Sequence, residues 1–436
     1  MLKLKRYIPF FLIFLLQLLV FSASQFIAWP EMLYEPYLMN NGFLIYKDIT
    51  IAHSPLLLFL LQLWFRLFND YVLALRIFTF ILTFLTGLLV KNVSVKIFHK
   101  ENLGYIAWII YIILNVYFEG NGVWFDHLVA LWALLSFYFF YLFLFKINEL
   151  YYIALAGLFL GFAGISKQTA GWLVLPSLFG FVLLLRQTKN FTKTIRDGFI
   201  FSVSCLLPFA LTALYLYSQG AIKDVYFWWL HFGITVLPRS EGQISFPTFR
   251  QAFGTFLFFI PLVPYLLRNL KKKPSWFIAL WTVFGFFGIY PRFERFHFQP
   301  ALPLLSMISA FLISSKEKKS WIYLNGFIYF LLVVRFFINS FNLPVRFYEQ
   351  DVQETVTWLK TNTYQNQRIY VYNTWDHFYA LADRKAAVYP VPPTLKWYLE
   401  VPGLQTSVVE SLKKYPESII VMESFTSKGL GSYVPP

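Results

Sequence analysis

Charge is what this 436-residue sequence has least of. Only 14% of its residues are Asp, Glu, Lys or Arg, against about 25% in a soluble globular domain. A water-soluble enzyme of that composition could not cover its surface with polar groups. Cysteine is nearly absent. The single Cys205 excludes an intrachain disulfide and a cysteine-rich metal site. Acids are scarcer than bases, 22 against 37. What is abundant is apolar: 58% hydrophobic residues, 22% aromatic, with 52 Phe alone. Intrinsic disorder is therefore excluded, because so much apolar surface must be buried. The class that remains is an all-α polytopic membrane protein.

Helices crossing the roughly 30 Å hydrocarbon core need about 17–25 apolar residues. Eleven segments qualify or nearly so: 7–27, 72–92, 104–118, 127–146, 151–166, 170–186, 198–218, 251–268, 275–290, 298–314 and 320–340. Segment 53–68 is apolar but short, and it carries Arg66. It suits a helix lying in the interface plane, with a twelfth span as the alternative. Residues 28–71 then form a first outer loop with interfacial helices.

Basic residues set the orientation. With the N-terminus cytoplasmic, the inside loops collect Lys3, Lys5, Arg6, Lys91, Lys96, Lys100, Lys146, Arg186, Lys189, Lys193, Arg196, Arg268, Lys271–Lys273, Lys316, Lys318 and Lys319. The other side collects most of the acids, Glu31, Glu35, Asp48, Glu119, Asp126, Asp224, Glu241 and Glu294 among them. That is the positive-inside pattern. The net charge of +15 is thus spread over loops by topology, and no nucleic-acid footprint clusters on one face. The start, MLKLKR and an apolar run before Ser22-Ala23-Ser24, also resembles a signal peptide. An uncleaved first span is the preferred reading.

After residue 340 polarity returns. RIYVYN (368–373) and SIIVMES (418–424) read as buried strands; 350–360 and 405–415 read as amphipathic helices. The chain therefore divides into a transmembrane domain, 1–340, and a small α/β domain, 341–436, which eleven spans place outside the cytoplasm.

Polar residues gather just outside one face rather than within the spans, which suits chemistry at a membrane surface better than a conduction path. The first outer loop holds Glu31, Glu35, Asp48 and His53. Glu31 and Glu35 share a helical face, and either could act as general base on a hydroxyl or be a solvated acid or cap. Asp126 opens a span, so it caps that helix or acts as a second carboxylate or a metal ligand beside His127. Lys167, followed by Gln168, either snorkels to the interface or holds a phosphate. In PRFERFHFQPALP (291–303), Arg292, Glu294, Arg295, His297 and Gln299 crowd a short turn between spans. Cations among aromatics there suit a lipid-linked phosphate, or interfacial anchors. In the C-terminal region Tyr372, Trp375, Asp376 and His377 could line a sugar-binding surface or pack against the rest of the protein.

Several of these stretches resemble one family. GFLIYKDITIAHSPL resembles the first-loop pattern of GT-C superfamily membrane glycosyltransferases: a glycine (Gly42), Tyr46-x-Asp48, then His53-x-Pro55 leading into an interfacial helix. The likeness is to the protein O-mannosyltransferase-like and aminoarabinose-transferase-like group, including the RgtA/B/C/D-like domain. AGISKQTAGWLVLP resembles that group's small-residue turn with lysine. RFERFHFQPALPLL resembles its late His-containing loop. The likeness spans roughly residues 5–315. One departure is plain: where the family carries an acidic pair ahead of the glycine, this sequence has the single Glu31 in Trp29-Pro30-Glu31, with Glu35 following.

The resemblance implies a GT-C-like fold and sugar transfer from a polyprenyl-phosphate donor on the extracytoplasmic face, with inversion. It implies Glu31 as base, with Asp48 and Asp126 shaping the catalytic site. Glu35, His53, Lys167, Gln168, Arg292, Arg295, His297 and Gln299 would bind substrate, the cations receiving the phosphate. Metal use varies in the superfamily. Asp48, His53, Asp126 and His127 could supply ligands, though no spacing demands a metal. Sugar, acceptor and carrier length are not legible. Two other readings remain open: a flippase for the same lipids, and a catalytically silent lipid-sugar binding protein, which the missing acidic pair favours.

Overall fold

The computed structural model describes residues 7–240, 244–290, 292–314, 319–340, 346–393 and 395–422. Lys3, Lys5, Arg6, Glu241, Pro291, Lys316, Glu317, Lys318 and the end of the 418–424 strand lie outside the described residues.

All eleven apolar segments are helical. Among the described residues, six helical stretches are long and apolar enough to cross a membrane by length and composition: Tyr71–Phe98, Phe125–Phe145, Gln168–Thr188, Phe191–Ser218, Phe249–Arg268 and Arg295–Ile313. Ile8–Ala23, Glu101–Tyr117, Leu150–Ser166 and Lys273–Ile289 are shorter apolar helices, and Lys319–Ser340 is the last. Two of the long stretches open as 3-10 turns, Gln168–Leu173 and Arg295–Ala301. The 249–268 stretch breaks between Phe259 and Leu262, where Pro261 has no N–H to continue the ladder. Segment 53–68 contains the ten-residue helix Leu56–Phe65 behind Pro55. At 1.5 Å per residue it is about 15 Å long, half of what a crossing needs.

The chain divides into two compact units. The first comprises Met1–Gln25, Thr79–Leu211 and Ser245–Leu343. Its core is aromatic: Phe137, Phe140, Phe277 and Trp281 pack ring on ring at centroid distances of 5.5–6.0 Å. Polar pairs pin individual helices. The buried Gln17 of Ile8–Ala23 accepts from Trp108 Nε1 at 3.1 Å, and Ser136 Oγ donates to Ala156 O at 2.8 Å. Gly157 and Gly161, four residues apart on one face of Leu150–Ser166, let it lie against the backbone of Phe191–Ser218. A Cβ at either would stand 2.2 Å from a carbonyl oxygen, of Phe201 and of Cys205 respectively. Such small-residue faces substitute for the hydrophobic effect where the solvent is lipid.

The second unit gathers three stretches, Phe26–Phe78, Thr212–Ile244 and Pro344–Pro436. Strands β1 (Ile369–Tyr372) and β2 (Ile419–Met422) pair in parallel, Ile369 opposite Ile419. A parallel pair needs a crossover, and here it carries the helices Phe378–Ala382, Lys396–Leu399 and Leu404–Lys414. The helices and strands expected after residue 340 are all found, within two residues at their described ends. The first-loop segment 41–55 is irregular yet largely buried, so its polar backbone must find partners. Some of those partners are in the C-terminal stretch. Thr50 N donates to Val391 O at 3.0 Å and Val391 N to Asp48 O at 2.7 Å, while Ala52 N donates to Tyr398 Oη at 3.0 Å. Gly42 takes φ +90°, a turn conformation that glycine adopts without a Cβ clash.

Candidate functional site

Two clusters of the sequence-predicted residues form, one in each unit. In the first unit three residues far apart in sequence converge. Asp126 lies in the first turn of Phe125–Phe145, where the helix dipole favours an anion. Lys167 is the extended residue between Leu150–Ser166 and the 3-10 turn. His297 lies in the 3-10 turn Arg295–Ala301. Lys167 Nζ is 2.5 Å from Asp126 Oδ2. His297 Nδ1 is 3.0 Å from the same oxygen and 2.7 Å from Lys167 Nζ. The imidazole nitrogen can donate to the carboxylate or accept from the ammonium, but not both at once. The side chains of Asp126 and Lys167 are 0% and 5% exposed. Their charges cancel in a dry place, where each needs the other.

Around this triad the late loop is strongly tied down. Gln299 is fully buried. Its Nε2 donates to the carbonyls of Asn115 and Phe118 at 3.1 and 2.9 Å, and its Oε1 accepts from Asn115 Nδ2 at 2.8 Å. Its amide thus holds the turn. Arg292 Nε pairs with Glu294 at 2.5 Å. Arg295 is exposed, with its guanidinium 5.8 Å from the Tyr117 ring centroid. Burial pushes the nearby Glu119 carboxyl up, an effect that Arg295 opposes. His127 uses Nδ1 to accept from Trp124 N at 3.1 Å, a helix-start contact. Gln168 opens the 3-10 turn after Lys167.

In the second unit, Glu31 is the first residue of helix Glu31–Asn40, and Glu35 lies one turn further on. Their surroundings differ. Glu35 is fully buried, with Tyr34 Oη donating to its Oε1 at 3.4 Å. Burial first, then the charges of Glu31 and Asp376, hold its carboxyl well above the ordinary carboxylate range. Glu31 is half-buried at the positive end of the helix dipole. Arg346 faces it electrostatically, together with Glu349. The Arg346 guanidinium sits 5.5 Å from the Trp29 ring and 5.2 Å from the Trp375 ring. Burial, then Arg346, pushes His377 down to about 3, so its imidazole is neutral. Asp48 accepts from Leu44 N at 2.8 Å, closing the turn after Gly42. The His53 carbonyl accepts from Tyr46 Oη at 2.7 Å. Among the described residues no three His, Cys, Asp or Glu side chains gather as a metal site. Arg346 was not foreseen in the sequence; no local pattern marks an arginine two of whose partners, Trp29 and Glu31, lie more than 300 residues upstream.

Residues 52–212 match the family of dolichyl-phosphate-mannose-protein mannosyltransferases. No curated protein matches in sequence. Among solved structures, ArnT from Cupriavidus metallidurans bound to undecaprenyl phosphate is similar at a TM-score of 0.60 and 14% identity, covering 86% of this chain and 85% of that one. Its apo state is similar at 0.57 and 12%, covering 92% and 90%. The oligosaccharyltransferase AglB from Archaeoglobus fulgidus, in complex with an inhibitory peptide and a dolichol-phosphate, is similar at 0.55 and 12%, covering 94% and 69%. The family match covers under half of the chain and the solved structures share its fold: this chain is a polytopic membrane protein with the fold of these membrane proteins.

Proposed function

We propose that the protein transfers a sugar from a polyprenyl-phosphate donor to an acceptor on the extracytoplasmic face, with Glu31 as general base and inversion at the anomeric carbon. The N-terminus is then cytoplasmic and residues 341–436 extracytoplasmic. The observation that carries the assignment of the base is the contrast between two acids one turn apart. Glu35 is buried among like charges that hold its carboxyl well above the ordinary carboxylate range, whereas Glu31 stands at a helix N-terminus facing Arg346.

The acceptor's O–H or N–H proton passes to Glu31 as its heteroatom bonds to the anomeric carbon. The bond from that carbon to the phosphate oxygen breaks, and its electron pair leaves with the polyprenyl phosphate. Arg295 and Arg292 are assigned to that phosphate, where charge develops. The Asp126–Lys167–His297 triad also fixes the turn that carries Arg295. Full-length protein in lipid nanodiscs, given radiolabelled polyprenyl-phosphate sugars and candidate acceptors, should release label from at least one donor. Donor binding without release under every acceptor would favour the silent lipid-sugar binder.

A second expectation separates the two acids. Glu35→Gln should keep turnover within about threefold, because burial already favours the neutral form of the group it replaces. It should also change the pH dependence of stability. A carboxyl raised in the folded state binds more protons folded than unfolded, so stability falls as pH climbs above the unfolded value of about 4.3. Thermal unfolding followed from pH 4.5 to 8 should show that slope in the wild type and a flatter one in Glu35→Gln.

A further inference from the structure

The second unit has an open cleft of about 670 Å³ that the transfer reaction does not use. The volume falls within the range of about 300–1,000 Å³ typical of small-ligand sites. Its walls come from the start of Tyr71–Phe98, from Gln350–Asn362 and from the 380–384 turn. Tyr348, 46% exposed, and Tyr71 present aromatic surface. Asp383, Lys360 and Gln365 add a carboxylate, an ammonium and an amide. Lys360 and Gln365 spend no side-chain hydrogen bond on another described residue.

The walls are held in place without a ligand. Arg384 Nε donates to Thr363 Oγ1 at 2.7 Å and Nη2 to Thr363 O at 2.9 Å, while Nη1 donates to the carbonyls of Ala382 and Asp383. Asp70 caps the helix start through Leu73 N at 3.0 Å. The cleft is also joined to the helix of Glu31: Tyr37 Oη, six residues along that helix, donates to Asp383 Oδ1 at 3.0 Å. Six residues of helix span about 9 Å.

The chemistry selects a neutral polyol. Asp70 and Asp383 disfavour an anion, and Lys360 with Arg384 balances them against a cation. Carboxylate, amide and ammonium groups offer both acceptors and donors to hydroxyl groups, and tyrosine rings offer an apolar face with a polar edge. An extended peptide is served less well, because neither β1 nor β2 lines the cleft to offer a strand edge. We infer that this cleft binds a neutral oligosaccharide, the acceptor glycan of the transfer; the acceptor role, though not the binding, rests on the transferase reading.

The test is saturation-transfer NMR and calorimetry on the full chain in nanodiscs, with mannotriose, chitotriose, galactotriose and an uncharged nonapeptide as probes. At least one trisaccharide should bind, and the peptide should not. Tyr348→Ala should weaken binding at least tenfold. So should the exposed pair Lys360→Ala/Gln365→Ala, which breaks no side-chain hydrogen bond to a described residue and guards against a folding defect. No trisaccharide binding to the wild type would overturn the inference. Binding that survives both sets of substitutions, or peptide binding lost with them, would overturn it too. Glu31→Gln should bind the trisaccharide as the wild type does. If it does so yet keeps full transfer, the assignment of the base fails while the cleft stands.

Discussion

Glu31→Gln should lower kcat for sugar transfer by about 10²–10⁴-fold, the usual contribution of a positioned base, and leave donor KM within about twofold. Glutamine keeps the size and hydrogen-bonding reach of the side chain but cannot accept the acceptor's proton. A loss confined to kcat is what removing a transition-state interaction produces, whereas a rise in KM alone would mean Glu31 only helps hold substrate. The measurement is release of labelled sugar from the lipid donor under saturating donor, with donor binding followed separately. Unchanged turnover would move the base to Asp48, the other first-loop carboxylate with an ordinary hydrogen-bonded setting.

Lys167→Met should be the most destabilising single change in the first unit. It leaves Asp126 with its side chain wholly buried and, among the described residues, His297 as its one remaining ion-pair partner. Removing one partner of a buried ion pair costs about 3–5 kcal/mol, whereas replacing both members is often close to neutral. The double variant Asp126→Asn/Lys167→Met should therefore recover most of the lost stability. Acidification should narrow the deficit of the single variant, as His297 takes up a proton and donates it toward Asp126. Thermal unfolding of the four-member cycle in one detergent would show the coupling. Additive losses would mean that the pair contributes no more than packing.

How much of this was legible in the sequence depends on the range of the signal. The apolar segments are local patterns, and every one became a helix. The exceptions at their margins have local chemical causes, such as the proline that interrupts 249–268. Lys167 and His297 stood out because polar residues are rare among spans. That Asp126 would join both on one oxygen could not be read, because the three lie 41, 130 and 171 residues apart. Gln299 is the reverse case. Residue type suggested a hand for substrate, and the fold uses every bond its amide makes to anchor a turn. Arg346 shows the same limit: its meaning comes from Trp29 and Glu31, at the far end of the chain. The composition of the second unit from three stretches was equally hidden, since the backbone partner of Thr50 is Val391.

The Asn115–Gln299 pair carries a kinetic consequence. Two planar amides exchange bonds across 184 residues of sequence, with a further carbonyl at Phe118. The turn bearing Arg295 and His297 is thus pre-ordered before any lipid arrives. A phosphate head group meeting it would not have to wait for a loop to close. Its capture rate would then follow how often lipid collides with this face, so it should scale with leaflet viscosity and donor density and show no saturating, conformation-limited phase.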